Sequence, residues 1–449
     1  MRRIAVILIF LAVLGGILFY FRDAVDLSRA PLPSWIPGRS GSPPPPELLE
    51  YVRIRPARGH LAPSDVTPGN AFYYIRKMRP PLLRGGRLDN AYSEYEKFKE
   101  LGYQRGVYAA LEELHYESAE LLRLAYKSAE IEACQVVTVT SREAPQHYLS
   151  GVVAASEVLH FVAERNAARG RFDAAFRDWQ TMLALGDHIT RGGILSNAYT
   201  DVGVTATACR SMRRVANTAN LPERLSSALI TSLLDIEAGL EPVAEVLRYE
   251  YVVAVAELEK TYNASHELQK KIDFRELKRH ADALFSQIIL LAQTPFAAPE
   301  GRQSEDVPSA LLRIGTYDFG DPAINEAIRS VVPRFGDVRQ EFLLQVVNLR
   351  ATAVFLAITA YRQDHNGELP VSLRELVPSY LPELPLDPFQ KGRVPLKYLP
   401  PSGERGWRVY SVGPDQEDDE GQVGNFEYGY RPRYGKLEDV CYSPDEFKF

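Results

Sequence analysis

Two Glu-x-x-His pairs, Glu112/His115 and Glu157/His160, are the residues whose types and spacing best suit catalysis. At i, i+3 on a helix, the members of each pair share one face. Two such pairs with two further inward glutamates build a four-helix carboxylate site for iron or manganese, the chemistry of a metal-dependent oxidase. No further inward glutamate is evident in the sequence, and Glu-x-x-His arises readily in glutamate-rich helices. A surface or packing role is therefore the simpler reading. His188 in LGDHITRGG and His365 in DHNG fall at expected helix ends, where an imidazolium suits the negative end of the dipole. Cys134, Cys209 and Cys441 lie far apart and are odd in number, with no metal spacing and no disulfide framework. A cysteine nucleophile needs a positioned base, and the sequence reveals none. The GxSxG, HExxH, P-loop and dinucleotide fingerprints are missing from the sequence. The expectation is a protein that is not an enzyme.

The elements that must position these residues begin with the N-terminus. Arg2 and Arg3 precede Ile4–Phe21, an uncharged and almost wholly apolar run. At 1.5 Å per residue its span is roughly 27 Å, enough for a bilayer core. Bulky residues follow in place of a small-residue cleavage site, so the run reads as a single uncleaved transmembrane helix. The leading arginines stay in the cytoplasm and send the rest across. That places the bulk of the chain in the periplasm, anchored in the cell inner membrane. Residues 22–50 read as a proline-rich stalk, with APLPSWIPGRSGSPPPP favouring extended polyproline geometry. With 449 residues the chain has room for two or three domains. Its formal net charge of -6 and its lack of a basic block argue against nucleic acid as a partner.

Residues 51–293 read as a helical domain. Apolar residues recur at threes and fours around Val107, Leu111, Leu114, Leu121 and Ala125. Further helices are expected over 150–169, 172–190, 195–215 and 222–240, and one long helix over about 242–292. Leu221-Pro222-Glu223 marks a helix start. Within this region Gly86–Gly102 and Gly170–Gly186 align without a gap, sharing glycines, an aspartate and aromatic or large apolar positions such as Tyr95/Trp179 and Phe98/Met182. Glu157–Gly186 resembles one tetratricopeptide repeat, with Ala163, Gly170, Phe172, Ala175 and Trp179 near its small and aromatic positions. The two copies start much further apart than the ~34 residues of that repeat, so a helical array is expected without a regular solenoid. Residues 294–338 read as a linker rich in Pro, Gly, Ser and acid.

From Arg339 a helix is expected with Phe342, Val346, Leu349, Ala353, Leu356 and Ala360 on one apolar stripe. Asn366-Gly367 ends it as a left-handed cap. Ser372-x-x-Glu375 has the form of a capping box, Asp387-Pro388 is turn chemistry, and LKYL and WRVYSV alternate like paired strands. The stretches AYRQDHNGELP, SLRELV, LPLDPFQKGRVPLKY and WRVYSVGPDQEDDEG occur in the order and spacing of the major pseudopilin of type II secretion. Over about residues 340–426 the chain resembles that family's soluble domain. The resemblance implies an α+β domain over 339–449 and a calcium site in the last loop, with Asp415, Asp418, Asp419 and Glu420 as the metal ligands. A loop of carboxylates and carbonyls suits calcium, which takes six to eight oxygens. The family's processed leader is missing here, and its membrane helix runs directly into the globular domain, whereas Arg339–Tyr361 contains Arg350 and follows a soluble region.

The expected fold is thus mainly α, a helical repeat-like array with a C-terminal α+β pseudopilin-like domain. The expected role is an extracytoplasmic scaffold whose partners are envelope or secretion-machine proteins. The alternatives are the helical oxidase and a glycan- or small-ligand-binding module using the aromatic C-terminus.

Overall fold

Most of the described chain is helical in this computed structural model. It describes residues 56–58, 61–81, 87–137, 146–293, 319–331, 338–390, 392–403, 405–414, 416–421, 426–427, 431–432 and 439–447. The expected membrane helix, the stalk, most of the linker and Asp415 lie outside the described residues.

A short helix α1 (Phe72–Ile75) precedes α2 (Arg87–Leu101), α3 (Ala109–Glu117) and α4 (Ala119–Ala129). The periodic stretch after Val107 is thus two helices. They part at Ser118, whose hydroxyl donates to the Leu114 carbonyl and so competes with the backbone ladder. Val107, expected on the buried stripe, lies before α3 and is 49% exposed.

The hairpin of α5 (His147–Ala168) and α6 (Phe172–Thr190) has the form expected for Glu157–Gly186. Gly170 turns the chain at φ +72°, in open space, and Arg171 N–H bonds back to Asn166 O at 2.9 Å. A left-handed C-cap of this kind is why glycine stands there. Ala163, Ala175 and Trp179 are buried between the helices, and Trp179 Nε1 donates to Ser211 Oγ of α7 (Leu195–Thr218) at 2.9 Å. The earlier copy differs in packing. Tyr95 and Phe98 are buried as expected, but Leu88 and Tyr92 on α2 face solvent.

After α8 (Glu223–Gly239) the single helix expected over 242–292 is three: α9 (Val243–Ala264), α10 (His266–Lys271) and α11 (Phe274–Gln293). Ser265 breaks it by capping α10, its hydroxyl accepting from Leu268 N–H at 3.2 Å. The expected linker contains α12 (Pro322–Val331), whose Ile324, Ala327, Ile328 and Val331 form a buried stripe against α9 and α11.

The helix from Val338 to Asp364, α13, is buried on nearly every side. Its expected single stripe was too narrow, because α7 and α8 cover one side while strands and a 3-10 turn cover the other. A helix apolar all round is a core element or a membrane span. This one has the length and composition of a span, but its most apolar stretch is 83% buried inside the protein. Arg350, its conspicuous charge, is met by Glu237 of α8 at 2.7 Å and the Leu386 carbonyl at 2.6 Å.

Beyond α13, Asn366 (φ 53°) and Gly367 (φ 94°) make the expected left-handed cap, with Gly367 N–H on Arg362 O at 2.8 Å. The expected capping box does not form. Leu373–Leu376 is a 3-10 turn without a Ser372 side-chain cap, and Glu375 instead accepts from the Tyr361 hydroxyl at 2.9 Å. Strands β1 (Lys397–Leu399) and β2 (Arg408–Ser411) pair antiparallel as expected. Two short strands, β3 (Phe426–Glu427) and β4 (Arg431–Pro432), form a separate ladder. Strand β5 (Val440–Tyr442) closes the main sheet on the far side of β2, and the 3-10 turn Pro444–Phe447 lies on α7.

Two large hydrophobic clusters result. One joins α1–α8 to Val347–Ile358 of α13 and to the sheet; the other joins α9–α12 to the first turns of α7 and α13. The helices α7 and α13 therefore run through both.

Candidate functional site

The two Glu-x-x-His pairs enter separate networks. His160, on α5, is 1% exposed; the Tyr95 hydroxyl donates to its Nδ1 at 3.1 Å, and its Nε2 reaches Glu164 Oε1 at the same distance. Burial holds the imidazole below its usual range, so it is neutral, and the partners fix Nε2 as the protonated nitrogen. Burial alone would raise the Glu164 carboxyl. Arg214 at 3.2 Å and His160 overrule it and hold the carboxyl below its usual range. Arg214 also donates to the carbonyls of Phe98, Lys99 and Glu100, which closes the C-terminal end of α2.

Glu112 and His115, on α3, both face Arg165, which pairs with Glu112 and lies 3.4 Å from His115 Nδ1. Burial and the Arg165 charge hold His115 below its usual range. Glu157 is pushed up to about 7 by burial and by the nearby Glu96 carboxylate, against the pull of Lys99. Among the described residues no three His, Cys, Asp or Glu side chains gather to hold a metal ion. His188 lies in the last turn of α6 as expected, but as a neutral ring. Burial and Arg191 push it down to about 4. His365 follows α13 and stacks on Tyr361 with centroids 3.8 Å apart.

In the C-terminal region the Asp-Pro turn is a clamp. Asp387, 2% exposed, accepts from Phe389 N–H at 3.0 Å, Ser411 Oγ at 2.7 Å and Val412 N–H at 2.9 Å. It thereby fixes the end of β2, from which the acidic loop departs. In that loop Asp418 accepts from Lys397, from the Tyr410 hydroxyl at 3.1 Å and from Glu420 N–H at 3.2 Å. Lys397 is the main group that holds its carboxyl below the usual range against a raising effect of burial. The Asp419 and Glu420 side chains are not drawn into this set of bonds by any described hydrogen bond or ion pair. Of the four expected ligands, Asp415 lies outside the described residues.

Sequence reasoning missed Asp439. It is wholly buried before β5; its Oδ2 accepts from Gly421 N–H at 2.7 Å, while Oδ1 is buried with no partner. Burial, with the Asp418 and Asp419 charges, pushes it up to about 6. A buried oxygen near the Asp418 and Asp419 charges calls for a partner, but these three carboxyls do not gather as a group that could hold a metal ion. No spacing signal links Asp439 to that loop; only the pairing of β5 with β2 brings them together.

Comparison with protein-family models, with curated proteins and with solved structures gave no match.

Proposed function

We propose that the protein is a membrane-anchored extracytoplasmic scaffold that docks envelope proteins, in the setting of a type II secretion or pilus-like machine. The sheathing of α13 carries this reading. In the pseudopilin pattern the corresponding helix continues into the membrane; here α7 and α8 already cover it. A pseudopilin-like module enclosed in this way suits a fixed platform better than a fibre subunit. Exposed apolar side chains support docking: Leu88, Tyr92 and Leu101 on α2, Tyr116 on α3 and Val153 on α5. Calcium is the expected cofactor, held by Asp415, Asp418, Asp419 and Glu420 together with Asp439, and its role is to stiffen the loop.

Crosslinking the full chain in cells, followed by identification of the captured proteins, tests the reading. Secretion or envelope components are expected, and their consistent absence sinks it. Calcium is tested separately by melting the full chain with calcium and with chelator. A rise with calcium that Asp439→Asn removes is expected; identical melts rule the metal out.

A further inference from the structure

Three arginines stand on one face of α7, Arg210, Arg213 and Arg214, at i, i+3 and i+4. Two are answered by carboxylates. Arg214 pairs with Glu164 at 3.2 Å, and Arg213 reaches Glu446 at 3.4 Å, Asn348 at 2.9 Å and Thr352 at 2.7 Å, with the Tyr442 ring 4.5 Å away. Glu446 is fully engaged, its other oxygen accepting from Ser443 N–H at 2.9 Å. Arg210 is the third. It makes no hydrogen bond or ion pair to any described residue, and its Nε is shielded from water.

The described neighbours do not supply the missing charge. Glu164 and Glu446 are the nearby anions, and both are committed to the other two guanidiniums. His160 is neutral, and the Tyr95 hydroxyl donates to it. Three cations thus face two carboxylates. A shielded charge without a partner is costly, and a guanidinium fork is shaped to receive two oxygens of a planar or tetrahedral anion. Arg210 remains half-buried rather than enclosed, so a solute can reach its outer edge.

We propose that Arg210 is the anchor of a small-oxyanion site, taking the carboxylate or phosphate group of a ligand between α7, the Tyr95 edge of α2 and the Pro444–Phe447 turn. The inference does not depend on the scaffold reading or on calcium. Bound there, the anion completes the charge balance of a layer that joins α2, α5 and α7 to the C-terminal sheet.

The test is a thermal melt of the full chain titrated with inorganic phosphate, with acetate, and with chloride at matched ionic strength. A saturable rise in Tm above the chloride control is expected. The anion acting at the lower concentration assigns phosphate or carboxylate chemistry. Arg210→Met is expected to lose the rise and, in chloride, to melt no lower than the parent, because it removes a half-buried charge that no described residue pairs with. Should that variant fail to fold, Arg210→Lys keeps the charge without the fork and is expected to need several-fold more anion. No rise above chloride, or an equal rise in the Arg210 variants, overturns the proposal.

Discussion

Asp201 shows how a single buried carboxyl sets a pH dependence. It lies on α7 against Gly186, where an added Cβ would meet its Oδ1 at 2.1 Å, so only glycine leaves it room. Thr205 Oγ1 and Gln345 Nε2 donate to it at 2.9 and 2.7 Å. Burial nevertheless pushes it up to about 7 from its ordinary 3.8, and the Asp187 charge adds to the rise. A carboxyl raised in the folded state contributes stability that is complete below the unfolded value and is lost as pH climbs to the folded one. The window is therefore about 4 to 7. Asp201→Asn removes the ionisation, so at pH 8 the variant should exceed the parent by on the order of 2–3 kcal/mol. At pH 4 the two should be nearly equal. Urea melts at both values check this, and a difference that does not change with pH defeats it. Asp387 is the contrasting case, a buried carboxylate whose acceptors are used. Asp387→Ala orphans Val412 N–H and the Ser411 hydroxyl and should cost about 3 kcal/mol, whereas Asp387→Asn, which keeps one acceptor, should cost less. Equal losses in the two variants would mean that packing, not hydrogen bonding, holds the turn.

Elements depend on where such groups are placed as much as on periodicity. The bounds of α6 were legible because Gly170 and Gly192 punctuate an unbroken apolar pattern, and the Asn-Gly cap of α13 because its φ requirement is local. The breaks at Ser118 and Ser265 were hidden, since serine fits a helix face until its hydroxyl takes a backbone partner. In α12 the stripe was readable, but its acidic and proline-rich approach masked it. The pairing of Tyr95 with His160, and of Asp439 with the acidic loop, joins residues far apart in the chain, and no spacing rule reaches that far. One such long-range group closes a whole element. Arg214 satisfies the last carbonyls of α2 and the buried Glu164 together. Arg214→Met should destabilise the protein by about 3–5 kcal/mol, because Glu164 is left buried with the neutral His160 and the Tyr103 N–H but without its cation. Amide exchange in Phe98–Leu101 should quicken more than exchange along α5. Uniform quickening of both helices would show that Arg214 serves packing alone.

At the scale of the molecule, the boundary that matters is not the one drawn at residue 339 by sequence pattern. The apolar residues Val347, Leu349, Ala351, Val354, Phe355 and Ile358 of α13 share one cluster with Trp179 and Met212 of the helical array and with Trp407 and Val409 of the sheet. Phe355 and Trp407 are in ring contact at 4.6 Å, so the sheet packs on the same helix that α7 and α8 cover. Removing residues before 339 therefore strips α13 of one of its two walls. Each of its buried aliphatic side chains would lose roughly 1.5–3 kcal/mol of burial, which exceeds the whole stability of a domain this small after a few such losses. The expected outcome is that residues 339–449 alone show no cooperative melt and weak dispersion of amide signals. In the full chain, variants keeping only Trp179 or only Trp407 should report the same denaturant midpoint by fluorescence, because both indoles sit in one cluster. A folded fragment, or a Trp407 transition well separated from that of Trp179, would show the C-terminal module to be an independent domain resting on the array.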